Sequence, residues 1–414
     1  MSRTLLAFSG AEHGEHSNGD GGAERDANSA LPYRWTRQGG VSEVSIQSAA
    51  ARTGGWGYQA IAKNLAIGTE GWDFTATTNN RYIFGFGVKL VAQAAAGEGA
   101  NTAFRLTIGS ITLGTSLSEA GVITFTGGGL GSPTWTPTLN QQYFVELVIN
   151  YVAAGTDTCE VWIDDVLLAS GTIAHSGTAL ASAYIGFETF HSIAVDGKPK
   201  LYHDDLYLMN TDEPAAAARY GSTFNVRASR ATADSADGSF VNASGAGNTN
   251  LFEATNNAPP TGTFNNTPAT DGTLILSTAA APDTCDFTMQ SYDTIGVPAN
   301  YAILGVKAVA ELGKPTAASG AQTGGVQIVS NPTIAETSVT VTPLTDNTYW
   351  SGVFTPPALN PEVTRATSPV LRLRRITGTT GEATYFDGAS IAVASFRPRS
   401  LVIPRRRNRA IRAM

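Results

Sequence analysis

Tyr143-Phe144-Val145-Glu146-Leu147-Val148-Ile149-Asn150-Tyr151 decides the fold. Tyr143, Val145, Leu147, Ile149 and Tyr151 recur every second residue, which places them on one face of an extended strand. Tyr82, Phe84, Phe86, Val88 and Leu90 repeat the pattern upstream. Shorter runs continue it at Phe104–Ile108, Val122–Phe125, Val161–Ile163, Tyr184–Phe187 and Leu201–Met209. After residue 212 a second series begins with Thr223–Ala228 and passes through Cys285–Met289, Ala302–Leu312 and Val370–Ile376 to Tyr385–Phe396. Turn signals between these runs fall at the short spacing that β-sandwiches produce. Helical signals are few, the best being a turn or two in Pro214–Tyr220. The expectation is an all-β chain of two antiparallel β-sandwich, jelly-roll-like domains in tandem, with helix under about a tenth against the usual ~30–35%.

The chain has 414 residues, too many for one compact core. The polar, Ala-rich stretch after Met209 marks the junction, which gives domains at 1–212 and 213–397 and a basic arm at 398–414. Only 15% of residues are charged, against ~25% in an ordinary soluble domain. Neutral Ala, Ser and Thr faces of this kind suit contacts with other proteins. The net charge of −7 hides an asymmetry: 11 basic and 20 acidic residues in 1–212, 9 and 14 in 213–396, then seven arginines and no acid. An acidic body disfavours free DNA as a partner, leaving only the arm for it. No apolar run near the start resembles a secretion signal, and no stretch is long and apolar enough for a membrane helix.

Catalytic patterns are absent from the sequence. Glu160 and Asp164 share a strand face but stand four residues apart, ~13 Å, too far for a glycosidase pair. The run Gly127-Gly128-Gly129-Leu130-Gly131 precedes no helix and reads as a loop, not a phosphate cradle. Cys159 and Cys285 read as buried side chains. The expectation is a protein that is not an enzyme and needs no cofactor. Two acidic pairs, Asp164-Asp165 and Asp204-Asp205, are the candidates for Ca²⁺; their alternative roles are a hairpin turn for the first and a sheet edge or end for the second. Trp35, Trp56, Trp72 and Trp135 sit beside Gly, Pro or Thr in expected loops, where an aromatic face could stack on a sugar or a partner.

Arg52-Thr53-Gly54-Gly55-Trp56, Tyr143–Leu147, Cys159–Val166 and Leu201-Tyr202-His203-Asp204-Asp205-Leu206-Tyr207-Leu208 together resemble the concanavalin A-like (laminin-G-like) jelly roll of tailed-bacteriophage virion structural proteins. That family has a strand, Asp-Gly, strand hairpin; here Asp165 stands where the glycine would be. The resemblance implies a virion component, a tail-tip, baseplate or fibre-type appendage. A head fibre or decoration protein and a lectin-like module for host surface glycans are its alternatives, with a glycan hydrolase last. Expected partners are other virion proteins and further copies of the chain, with a trimer as the leading guess. The arm, with Arg399, Arg405, Arg406, Arg407, Arg409 and Arg412, is expected to dock on an acidic groove, or else on packaged DNA.

Overall fold

The computed structural model describes residues 3–10, 24–25, 33–38, 43–55, 57–61, 67–92, 102–152, 156–174, 180–187, 199–242, 251, 262–263, 275–277, 279–313, 322–341, 349–354, 363–378 and 384–398. Strands make up 64% and helix 4%, so the all-β expectation holds. Among the described residues the helical elements are the α-turn Ala215–Ala218 and the 3-10 turns Ser48–Ala50 and Gly221–Thr223.

The first half folds into two facing antiparallel sheets. One runs in the order Val166–Ala174, Thr156–Ile163, Tyr143–Tyr151, Asn80–Ala92, Lys200–Thr211, Gly57–Ile61, Glu43–Gln47, with Arg3–Ser9 also paired to Lys200–Thr211. The other runs Thr134–Trp135, Ile123–Thr126, Ile111–Leu117, Phe104–Ile108, Leu180–Phe187, Ile67–Thr75, Tyr33–Gln38, Glu24–Arg25. The alternating residues meet between them: Tyr82, Phe84, Phe86, Val88 and Leu90 from one strand, Val145, Leu147 and Ile149 from the next, against Phe104, Leu106, Ile108 and Phe125. The rings of Phe84, Phe86, Phe104 and Phe125 form a tilted chain with centroids 4.9, 5.0 and 6.0 Å apart.

The second half is a further antiparallel sandwich. Asn225–Ala236 pairs with Thr384–Phe396 in one layer and Asp283–Met289 in the other, tying both into one ten-stranded arrangement. Phe287, Leu371, Leu373, Val326 and Ile328 close its core against Val306, Ala308, Ile391 and Val393. One of its segments crosses over: Gly262–Thr263 adds a strand beside Glu43–Gln47 of the first sandwich.

A third apolar core lies between the sandwiches. The outer face of the first sheet supplies Ile83, Phe144, Val148, Tyr207 and Met209; the junction adds Ala215, Ala218, Tyr220 and Phe224; the second sandwich adds Val226, Leu304, Val309, Ala392, Ala394 and Phe396. The strand Tyr143–Tyr151, which carries Glu146, therefore has apolar residues on both faces, as a strand buried on both sides must.

Candidate binding surface

The acidic pairs form a clasp between the sandwiches. In Lys200–Thr211 the register slips between Asp204 and Tyr207, and Asp205 takes a left-handed backbone (φ 55°). This bulge lets Asp204 and Asp205 both serve the seam. Asp205 is fully buried; it accepts from Arg52 Nη1 at 2.7 Å, Thr53 Oγ1 at 2.8 Å and the Val226 amide at 2.7 Å. Asp204 accepts the Arg52 amide at 2.9 Å and the Asp205 amide at 2.8 Å. Arg52 in turn donates to the carbonyls of Phe224 and Ser222 and lies 4.6 Å over the Phe144 ring. Beside it, buried Glu146 receives the Tyr207 hydroxyl, the Arg219 guanidinium and the Gly221 amide, while Arg219 stacks 3.7 Å over Trp162.

The two acidic pairs are the candidates for Ca²⁺, a hard cation that takes several oxygens; the hydrogen bonds of these carboxylates run to protein donors. Asp164 and Asp165 occupy the two central positions of a hairpin at φ 46° and 69°, the turn expected of them. Asp164 accepts the Phe144 amide at 2.8 Å, and Asp165 accepts Ser222 Oγ at 2.8 Å. Among the described residues no group of three or more His, Cys, Asp or Glu is gathered for a metal. Asp204-Asp205 also lies on an interior strand, not at an edge.

The tryptophans divide. Trp72 is 2% exposed, edge-on to Phe84 in the first core, so its expected ligand role is corrected. Trp35 lies on the strand Tyr33–Gln38, not in a loop. Trp56 and the arm arginines Arg399, Arg405, Arg406, Arg407, Arg409 and Arg412 fall outside the described residues. Trp135 is on the surface side of the fold only in part. It is half-buried, and its ring stands edge to face with Tyr143, at 4.9 Å and 86°.

Trp135 ends the short edge strand Thr134–Trp135, not a loop as expected, and leads into the loop that runs to Tyr143. Thr134, Thr136, Thr138, Leu139, Asn140 and Gln141 around it are exposed. The loop is held at each stage: Phe125 amide to Pro133 carbonyl at 2.9 Å, Thr138 amide to Tyr143 Oη at 3.0 Å, Asn140 amide to Leu90 carbonyl at 2.8 Å. Ser132 and Asn140 adopt left-handed backbone at φ 58° and 64°, a strained conformation that persists where the surroundings fix it and that concentrates at ligand sites. The adjoining turn Ser48–Ala50 is reached by Lys89 Nζ, 2.6 Å from the Ala49 carbonyl, and by Gln142 Nε2, 3.3 Å from the Ala51 carbonyl. Sequence reasoning singled out Trp135 but not Lys89, Lys200 and Tyr202, which only strand pairing brings together.

No protein family and no curated protein matches the chain. Solved structures are similar to it only distantly. An endo-β-1,4-glucuronan lyase from the fungus Trichoderma reesei is 10% identical, covering 41% of this chain and 87% of its own, at a TM-score of 0.31. The binding domain of botulinum neurotoxin serotype D/C is 10% identical over 92% of this chain and 98% of its own, also at 0.31. Domain 4 of an extracellular arabinanase from Geobacillus stearothermophilus is 17% identical over 50% and 93%, at 0.28. At such scores the likeness carries no conclusion about this chain. The expected virion protein has no counterpart among these three.

Proposed function

We propose that the chain is a non-catalytic carbohydrate-binding protein that recognises a glycan at the Trp135 end of its first sandwich. The observation carrying this is the half-buried Trp135 ring, fixed against Tyr143 and surrounded by exposed Thr134, Thr136, Thr138 and Asn140. A pyranose offers an apolar C–H face and a rim of hydroxyls; an indole takes the face, and hydroxyl and amide side chains take the rim. The pinned loop lowers the ordering cost of binding. A glycan array should find saccharides that bind the purified protein. Trp135→Ala should weaken the best of them by about tenfold or more, ~1.4 kcal/mol, with an unchanged thermal midpoint. A silent array, or a variant that binds as tightly as the parent, overturns the reading.

A second reading, an assembly component of a virion, is favoured by one strand. Val166–Ala174 forms an end of the first sheet and carries no charge. Its Val166 and Leu167 are 67% and 43% exposed, and an apolar sheet edge is a template for another chain. On this reading the protein is an appendage built of several copies, a trimer first, with residues 398–414 docking it on a neighbour. Light scattering of the intact protein and particle incorporation after deleting 398–414 test it. A monomer that enters particles without its arm would sink it.

A further inference from the structure

We infer that Lys89, Tyr202 and Lys200 form a subsite for the anionic group of an acidic sugar. The inference rests on the carbohydrate reading and names its ligand class. Tyr202 is opposite Lys89 in the strand pairing, and Lys200 lies two residues before it on the same sheet face. The Lys89 ammonium is 4.9 Å from the Tyr202 ring centroid and the Lys200 ammonium 5.0 Å from the same centroid. The two charges are therefore within about 10 Å of each other, roughly one Debye length at 0.1 M salt, so each feels the other. A ring attracts one cation by about 0.5–1 kcal/mol at an exposed site; holding a second like charge there works against that gain.

No acid among the described residues forms an ion pair with either lysine. The nearest buried carboxylates along the strand, Asp204 and Asp205, are committed to Arg52 and Thr53. Two cations on one tyrosine thus leave a place whose charge an incoming anion completes. Its position fits the proposed glycan surface. Lys89 reaches the Ala49 carbonyl, Gln142 reaches Ala51, and the amide of Asn140 is bonded to Leu90, the residue after Lys89. A saccharide stacked at Trp135 would extend its next residues along this end of the sandwich. Tyr202 is only 7% exposed, so the ring positions the ammoniums instead of stacking on the sugar.

Titration calorimetry at low salt can test this with three probes: oligogalacturonate, its fully methyl-esterified form, and a sulfated neutral oligosaccharide of equal length. The intact protein should bind the carboxylate form at least about tenfold more tightly than the ester, with the preference shrinking as salt rises. The sulfated probe distinguishes carboxylate from sulfate as the preferred anion; a preference for either acid over the ester supports the subsite. A Lys89→Gln, Lys200→Gln double variant should bind acid and ester alike, and Lys89→Arg, Lys200→Arg should restore the preference. Equal binding of acid and ester by the parent, or a preference that survives the double glutamine variant, overturns the subsite alone. Failure of all three probes to bind overturns the glycan reading for this surface and the subsite with it.

Discussion

Asp205 concentrates more interactions than any apolar residue around it. One carboxylate, fully buried, holds a guanidinium, a hydroxyl and the Val226 amide, and so joins Arg52 in the first sandwich to the first strand of the second. Removing one member of a buried ion pair leaves the other charge uncompensated, a loss of about 3–5 kcal/mol. Asp205→Ala should therefore lower stability by that order in urea denaturation; a change below about 1 kcal/mol would mean that the seam holds without it. The buried acids of the seam and cores set a second expectation. Burial pushes the Tyr207 hydroxyl well above its usual 10.0, with Glu146 adding to the effect. Burial likewise raises Tyr220 to about 12 and, with Asp157 and Glu160, the Cys159 thiol to about 12. Each group keeps its proton more firmly folded than unfolded. Their contribution is complete below the unfolded values of 9.0 and 10.0 and is lost as pH rises towards 12. The thermal midpoint should fall steadily from pH 9 to pH 12, and less steeply in Tyr220→Phe; a flat profile across that range contradicts the assignment.

Glycines do two different jobs in the strands and loops, and only one of them is a turn. Gly128 and Gly129 lie at φ 55° and 69°; a Cβ on Gly129 would come 2.1 Å from the Thr172 carbonyl oxygen, and one on Gly128 2.4 Å from Leu113. The glycine run thus lets a loop from one sheet settle against the end strand of the other. Gly129→Ala should cost at least 1–2 kcal/mol, since it combines strain with overlap, and thermal unfolding would read this directly. Gly71 is the other kind. A Cβ there would lie 1.8 Å from the Ala183 carbonyl, so this glycine permits close approach between two paired strands. Sequence reading takes Gly71-Trp72 for a loop and offers Trp72 to a ligand; the same dipeptide in a tight strand pair puts the ring in the core. Period-two runs were legible because both sheets bury one face, and alternation reports that burial. The Asp164-Asp165 hairpin was legible because few residues other than Gly, Asn and Asp tolerate φ > 0 in succession. The Asp204-Asp205 clasp was not: its partners Arg52, Thr53 and Val226 are distant in the chain, and a bulge leaves no mark in composition. Lys89 and Lys200 escaped for a similar reason, since they come together only through strand pairing 111 positions apart.

At the scale of the molecule, the decisive feature is that one sheet is buried on both faces. Its inner face closes the first core, and its outer face closes the core shared with the second sandwich through Phe144, Tyr207, Phe224, Ala394 and Phe396. Two domains joined only by a linker move relative to one another by default, and their interface stays polar. Here the seam is apolar, is bracketed by two buried ion pairs, Arg52–Asp205 and Arg219–Glu146, and is further tied by Lys307 Nζ to the Phe8 carbonyl at 2.7 Å. Separating the sandwiches would expose that apolar surface and strand both ion pairs, so neither should unfold while the other stays native. Scanning calorimetry should accordingly give one transition, with calorimetric and van't Hoff enthalpies in agreement. Phe224→Ala, which empties a fully buried position in the seam, should cost about 3–5 kcal/mol and begin to split that transition in two. A parent protein that melts in two well-separated steps would mean that the seam is a contact between independent domains. A variant that melts as one, at the parent temperature, would mean that cooperativity runs instead through the strand added at Gly262–Thr263. The same rigidity bears on binding: a glycan held at the Trp135 end would be presented at a fixed angle to whatever the second sandwich contacts.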